Sequence, residues 1–466
     1  MILFSSNSVD MVVAFWATVL AGAVCVPVGA TTKSEKLAWL VEHCEAAAVI
    51  SEQRLSSVLA PALSSAHRLR SVLVSGGSQG VPGAADFATV QAEADTDGVP
   101  PRPGAADDLA AIIYTSGSSG SPKGVMSSHR NMLSATASIS RYLGIAGSDA
   151  IQLISPMSFD YGLYQCLLSA QQGCRLVLAP PLTLPGQVLR QTAAERVTFF
   201  PAVPTVFAML GELGDVSRWD LSSVRAVTST GAALTERHIA IIRRAFPAAR
   251  IFSMYGVTEC KRCSYLPPDD IDRKPGSVGV AIPDTELWLV DEQDRRLGPN
   301  QVGQIVVRGA HVMQGYWRDA DASARVLRPG RDPGERVLYT GDLGRMDDDG
   351  YLYFVGRTDD IIKCGGEKVA PKEVEMVLAG IPGVKEAAVV GIADPILGQA
   401  VKAFVVADGH LTESELLRAS RERLEGHVAP RSIELRSELP RNANGKVDKR
   451  ALLAGAAEST GACATS

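Results

Sequence analysis

From Ala47 to Tyr255 the chain repeatedly sets a short β-branched run beside an amphipathic stretch: AAVI, SVLV, LAAIIY, IQLI, RLVLA, VTFF, VRAVTS and RIFSMY are separated by helix-like segments. Strands joined through helices pair side by side in parallel, so the pattern predicts an α/β architecture of parallel sheets. Tyr161–Gln172 and Thr235–Phe246 read as two of the crossover helices, the second opening on Thr235 as N-cap with Ile239, Ile242 and Phe246 on one face. After Pro275 the runs shorten (ELWLVDE, GQIVVRG, GYLYFVG), which predicts a β-rich layer. A boundary at Arg357–Asp360 separates this large N-terminal domain, residues 1–357, from a small α+β domain, 358–455. The small domain has strands at VKEAAVVGI and VKAFVVA and a helix opened by a capping box, Thr412 with Glu415. Residues 456–466 carry no core-forming pattern and are expected to be disordered.

Met11–Ala30, an uncharged run of 20 residues, is long enough to span a bilayer on hydropathy alone. No Lys or Arg precedes it, and Pro27 with the Val-rich end suggests a helix running into a buried strand, so it reads as core. The Gly-, Pro-, Ala- and Asp-rich stretch 76–108 reads as a surface loop. With 46 Lys and Arg against 51 Asp and Glu the net charge is −5, which disfavours a nucleic-acid binder. Eight cysteines at irregular positions make no disulfide framework, so a reducing, cytoplasmic setting is expected.

The strongest local signal is Tyr114-Thr-Ser-Gly-Ser-Ser-Gly-Ser-Pro-Lys-Gly124, a Gly/Ser/Thr-rich loop directly after an apolar strand. Glycines let the backbone approach phosphate oxygens, hydroxyls and N–H groups donate to them, and a lysine neutralises their charge. Lys123 is followed by Gly124 rather than Ser or Thr, so the loop is not of the Walker A type.

This loop resembles the phosphate-binding signature of the AMP-forming, adenylate-forming superfamily: acyl-CoA synthetases, peptide-synthetase adenylation domains and luciferases. Further motifs follow in the family's order: Ser229-Thr-Gly-Ala-Ala-Leu234, Met254-Tyr-Gly-Val-Thr-Glu259, Tyr339-Thr-Gly-Asp-Leu343, Gly356-Arg-Thr-Asp-Asp360 and Leu439-Pro-Arg-Asn-Ala-Asn-Gly-Lys446. The resemblance covers residues 1–453 and implies the family's fold, with the small C-terminal domain mobile. It implies nucleotide contacts from Thr115, Ser116, Gly117, Ser118, Ser119, Gly120 and Lys123, from Gly231, Ala232 and Ala233, from Tyr255 and Gly256, and from Asp342 and Arg357. Lys446, Thr258 and Glu259 would be catalytic, with Glu259 also holding Mg²⁺. Asp359 would be the hinge between two working conformations, and Gly365 and Gly366 would leave room for a pantetheine arm.

The chemistry asks for such residues. A carboxylate attacking the α-phosphate of ATP brings two anions together, so cations must neutralise the acyl phosphate and the leaving pyrophosphate. Lys446 would bridge carboxylate and α-phosphate, Glu259 would place Mg²⁺, and the Asp342 carboxylate suits a ribose diol.

By position in the family, the acyl pocket draws on Phe159, Asp160, Tyr161, Tyr164, Val203, Ser229, Thr230, Val257 and Cys260. Asp160 has two readings of equal weight: recognition of a substrate ammonium, or a cap on the helix beginning near Tyr161. Lys261 and Arg262, beside Glu259, read as solvated or paired charges, with recognition of a second anionic group as the rival. The Cys260–Cys263 spacing lacks a second Cys or His pair, against a zinc site. Two departures from the family stand out: the match begins at Ile2–Asn7, so the first strands of the N-terminal subdomain are expected to be missing, and Gln304 replaces a common Glu.

The expected activity is ATP-dependent acid–thiol ligation, using ATP and Mg²⁺, with CoA or a carrier-protein phosphopantetheine as acceptor. The alternatives are a freestanding amino-acid-type adenylation enzyme that loads a carrier protein or an amine, and a non-catalytic nucleotide-binding relative.

Overall fold

The computed structural model describes residues 1–64, 66, 68–94, 104–115, 122–180, 184–358, 360–364, 367–394, 396–424, 426–442 and 445–454. They divide into two compact units. One comprises Met1–Leu287 with Val306–Thr340, the other Trp288–Ile305 with the described residues from Gly341 on.

The first unit is α/β, as the alternation of strand and helix runs predicts. β1 (Ile2–Ser5), β2 (Val26–Gly29), β3 (Ala48–Glu52), β4 (Ser71–Ser75) and β5 (Ala85–Asp86) form a parallel sheet in the order β2-β1-β3-β4-β5. The uncharged Met11–Ala30 run is split. Its first part lies in the helix Val9–Leu20, capped by Ser8, which buries Met11, Ala14 and Phe15; after a turn, the chain enters β2. No helix among the described residues is long and apolar enough to cross a membrane.

Part of the 76–108 stretch, read as a loop, is ordered secondary structure: β5 leads into the helix Phe87–Glu93, whose N-cap Asp86 accepts from the Thr89 N–H at 2.9 Å. Buried Phe87 anchors it, which the Ala- and Gly-rich composition around it concealed.

β6 (Leu109–Thr115) and β7 (Lys123–Ser128) form an antiparallel hairpin. A larger sheet follows from β8 (Ala150–Leu153), β9 (Arg175–Leu178), β10 (Phe199–Pro201), β11 (Ala226–Ser229) and β12 (Arg250–Tyr255), all parallel in the order β12-β11-β10-β8-β9. β13 (Ser264–Tyr265) and β14 (Val280–Ala281) extend it antiparallel beyond β12. Leu3, Phe15, Ile113, Leu153 and Leu163 share one buried cluster, so both parallel sheets and the hairpin contribute to one core. The helix Glu236–Ala245 carries the expected Thr235 cap, with His238 completing a capping box.

In the second unit, Val384–Asp394 and Gly398–Ala407 make a long antiparallel ribbon. Ile362–Cys364 and, in parallel, Ser432–Leu435 pair with its second strand. The helices Pro371–Ala379 and Glu413–Arg421 bury Val374, Leu378 and Leu416 in the core of this sheet. The Thr412 side chain and Glu415 form their capping box.

Candidate functional site

In the first unit, the hairpin register sets Thr115 opposite Lys123, at the mouth of the glycine-rich loop. Ser116, Gly117, Ser118, Ser119 and Gly120 lie outside the described residues. The Lys123 ammonium stands 5.1 Å from the centre of the Tyr316 ring, a cation–π contact. Tyr316 gets there because the two-residue strand Gly315–Tyr316 pairs antiparallel with β7, and the Trp317 N–H donates to the Gly124 carbonyl at 2.7 Å. Gly315 has φ +140°, open to glycine and strained for other residues. The Tyr316 hydroxyl then donates to Glu259 Oε1 at 2.7 Å, while the Met313 N–H donates to the Glu259 carbonyl at 2.8 Å. An ammonium and a carboxylate thus flank one phenol. Tyr316 was missed in the sequence, where Gly315 before two aromatics was its only signal.

The Ser229–Leu234 and Met254–Glu259 motifs leave the ends of neighbouring strands. Ser229 closes β11 and Tyr255 closes β12, which pair in register through Ser229 and Ser253. Thr230 is buried, Gly231 turns the chain at φ +88°, and Ala232 and Ala233 are exposed. Gly256, Val257, Thr258 and Glu259 are half-buried. The turn closes when the N–H groups of Cys260 and Lys261 both donate to the Val257 carbonyl, at 3.1 and 2.7 Å. Cys260 and Cys263 are buried free thiols with sulfurs 3.1 Å apart. Burial would push the Cys260 thiol up, but hydrogen bonds with Cys263 and His311 outweigh it and hold the group below its ordinary value.

Of the residues assigned to the acyl pocket, Asp160, Tyr161 and Tyr164 share the first turns of the helix Asp160–Gln172. This helix starts one residue earlier than expected: Phe159, half-buried, is the N-cap without a side-chain bond, and Asp160 Oδ1 accepts from the Tyr161 N–H at 2.9 Å. Asp160 therefore serves the helix start from inside the helix. The Tyr161 hydroxyl donates to the Thr228 carbonyl at 2.9 Å, which joins the helix to β11. Burial pushes the Tyr161 phenol up, against the nearby Arg262 guanidinium. Val203, half-buried, caps the helix Pro204–Gly211. Lys261 and Arg262 are corrected from solvated flanking charges: each is only 5% exposed.

In the second unit, Asp342 pairs in register with Arg357 across two antiparallel strands, and Arg357 Nη1 lies 3.6 Å from Asp342 Oδ1. The Asp342 carboxylate is buried and Arg357 is exposed, so an acceptor and a donor meet at one edge. Lys446 is exposed on a tight loop: its N–H donates to Asn442 Oδ1 at 3.1 Å, and its carbonyl accepts from the Asn442 N–H at 2.8 Å. Gly445 makes the turn at φ +75°. Asp359, Gly365 and Gly366 lie outside the described residues.

Comparison with known proteins identifies the family. The "AMP-binding enzyme" family matches residues 1–317 and its C-terminal domain matches residues 373–446. A long-chain-fatty-acid–CoA ligase of Escherichia coli O157:H7 is 35% identical over 74% of this chain and 61% of its own length. The chain thus spans about three fifths of that relative. A 3-[(3aS,4S,7aS)-7a-methyl-1,5-dioxo-octahydro-1H-inden-4-yl]propanoyl:CoA ligase of Rhodococcus jostii is 31% identical over 96% of this chain and 87% of its own. The crystal structure of ATP-bound MatB from Rhodopseudomonas palustris superposes with a TM-score of 0.87 at 28% identity, over 97% of this chain and 88% of that one. The chain belongs to the family of AMP-binding enzymes.

Proposed function

We propose that the chain is an ATP-dependent acid–thiol ligase. A carboxylate oxygen attacks the α-phosphorus of ATP and pyrophosphate leaves with the broken bond. A thiol of CoA or of a carrier-protein phosphopantetheine then attacks the acyl carbon and AMP leaves. The observation that carries this reading is the Lys123–Tyr316–Glu259 arrangement, a cation and a carboxylate held on one phenol. The relatives named as CoA ligases support it.

Glu259 suits Mg²⁺: it is a hard oxygen donor, half-buried and oriented by the Tyr316 hydroxyl. Among the described residues no group of three or more His, Cys, Asp or Glu could hold a metal ion. When bound, Mg²⁺ would neutralise phosphate charge. Asp342 would accept from the ribose hydroxyls, with Arg357 beside it as a donor.

We assign residues 1–357 to adenylation and 358–455 to a mobile domain that turns about Asp359, with Gly365 and Gly366 admitting the pantetheine arm in the second half-reaction. The Asp160 carboxylate already accepts a helix N–H and acts on the Lys261 ammonium, which favours a plain acid over an amino acid. The seven described cysteines are free thiols, in keeping with a cytoplasmic setting.

The test separates the half-reactions. Lys446→Ala should abolish acyl-AMP formation from acid and ATP, yet leave thioester formation from preformed acyl-AMP nearly intact. Equal loss of both would refute the assignment of Lys446 to the first step alone.

A further inference from the structure

Lys261 and Arg262, equally buried, differ in how they are satisfied. Lys261 Nζ donates to the Thr258 carbonyl at 2.6 Å; burial lowers its pKa, and the charges of Asp160 and Glu259 oppose that. The Arg262 side chain is hydrogen-bonded to that of Tyr142, and its guanidinium carbon lies 5.4 Å from the centre of the Tyr161 ring. Its Nε–H is buried and meets no acceptor. The hydroxyl of Tyr164, a residue 2% exposed, is a second buried polar group without a hydrogen-bond partner. The two are neighbours: the Arg262 charge opposes the rise that burial and Asp160 impose on the Tyr164 phenol.

Buried donors left unmet are costly, and the cost vanishes when an acceptor arrives. Tyr161 and Tyr164 lie three residues apart on one helix face, and Arg262 follows Cys260 by two positions, so both donors sit among the residues assigned to the acyl group. An alkyl tail would leave both donors unsatisfied. An ammonium would face the guanidinium as a like charge, whereas a carboxylate accepts from both.

We propose that Arg262 and the Tyr164 hydroxyl form an anion-recognising subsite, and that the acid substrate is a dicarboxylic acid. One carboxylate is activated and the other is held by Arg262. The fate of the first carboxylate rests on the ligase reading above; the binding of the second does not.

The full-length chain is tested with matched pairs: glutarate and valerate, adipate and hexanoate, terephthalate and 4-methylbenzoate. Acid-dependent pyrophosphate release gives kcat/KM, and calorimetry without ATP gives binding. A diacid should be preferred over its partner by about 100-fold. Arg262→Met and Tyr164→Phe should collapse that ratio through the diacid KM, and Arg262→Lys should restore part of it. If Arg262→Met does not fold, Tyr164→Phe, which removes one oxygen, still reports the ratio. Diacid binding that depends on Arg262 without pyrophosphate release would uphold the subsite and refute the ligase reading. Release with monoacids or amino acids only, equal loss on both members of a pair, or no binding of any diacid would overturn the subsite.

Discussion

Replacing Gly256 by alanine tests how tightly the Glu259 turn is built. A Cβ at position 256 would collide with the Lys261 carbonyl oxygen and lie 2.9 Å from Arg262 Cα, so the obstacle is backbone rather than a side chain that can rotate away. That backbone has little freedom. Lys261 sits in the left-handed region at φ +67°, its N–H bonds to Val257 at 2.7 Å, and the Cys263 N–H bonds to Tyr255 at 2.9 Å. Relief requires lengthening one or two of these bonds, about 1 kcal/mol each, on top of about 1–3 kcal/mol of overpacking. The sum, roughly 3 kcal/mol, should lower the unfolding midpoint of this unit by about 4–5 °C. Glu259 lies inside the same turn, so a displacement there should cost about 100-fold in kcat/KM for pyrophosphate release. Thermal unfolding and steady-state kinetics on Gly256→Ala read the two effects separately. An unchanged midpoint with unchanged activity would show that the turn has slack, and the rigidity argument would fail.

Asp342→Asn should raise the KM for ATP about 10- to 100-fold while changing kcat less, because a charged acceptor for the ribose is lost. An unaltered ATP KM would remove Asp342 from the nucleotide site. Asp149, 5% exposed, accepts from the Ala146 N–H, the Thr198 hydroxyl and the Arg225 guanidinium, the last at 2.6 Å. Burial would raise its pKa, but the Arg225, Ala146 and Thr198 bonds outweigh it and hold the carboxyl below its ordinary value. A depressed carboxylate stabilises the fold above its unfolded pKa of about 3.9 and stops doing so as pH falls through the folded value. Asp149→Asn should therefore cost about 3 kcal/mol at pH 7, in a gap that narrows below about pH 4. Denaturation midpoints at pH 7 and pH 3 check it, and a constant gap would contradict the linkage.

What the sequence discloses and what it hides follow from how local each feature is. The parallel sheets were legible because each strand is a contiguous β-branched run, as in Ala48–Glu52 and Arg250–Tyr255. The glycine-rich loop was legible because its chemistry requires adjacent residues, but the hairpin that carries it was not: the alternation of runs put LAAIIY among the parallel strands, whereas it pairs antiparallel with Lys123–Ser128. The helix Phe87–Glu93 was hidden by composition, although Asp86 three residues before Thr89 was a usable capping signal. Tyr316 was hidden because its bond to Glu259 crosses 57 positions of sequence and exists only through the pairing of Gly315–Tyr316 with β7. The burial of Arg262 ran against the usual exposure of charged residues, and nothing in Cys260–Cys263 announces it. For Asp160, sequence could name both a cap and a recognition role; which atoms the carboxylate meets depended on where the helix starts.

The separation between Lys123 and Glu259 is gauged by a phenol that belongs to neither motif. That phenol rides on a short strand whose neighbours are the β7 backbone and the Glu259 loop, remote in sequence from the helix Asp160–Gln172. Substitutions on that helix therefore leave the bonds of this spacer in place, whereas Val257 and Cys260 lie in the Glu259 turn itself. A scaffold of this kind can vary one wall of its acyl side, the helix, without resetting the distance between the cation and the carboxylate.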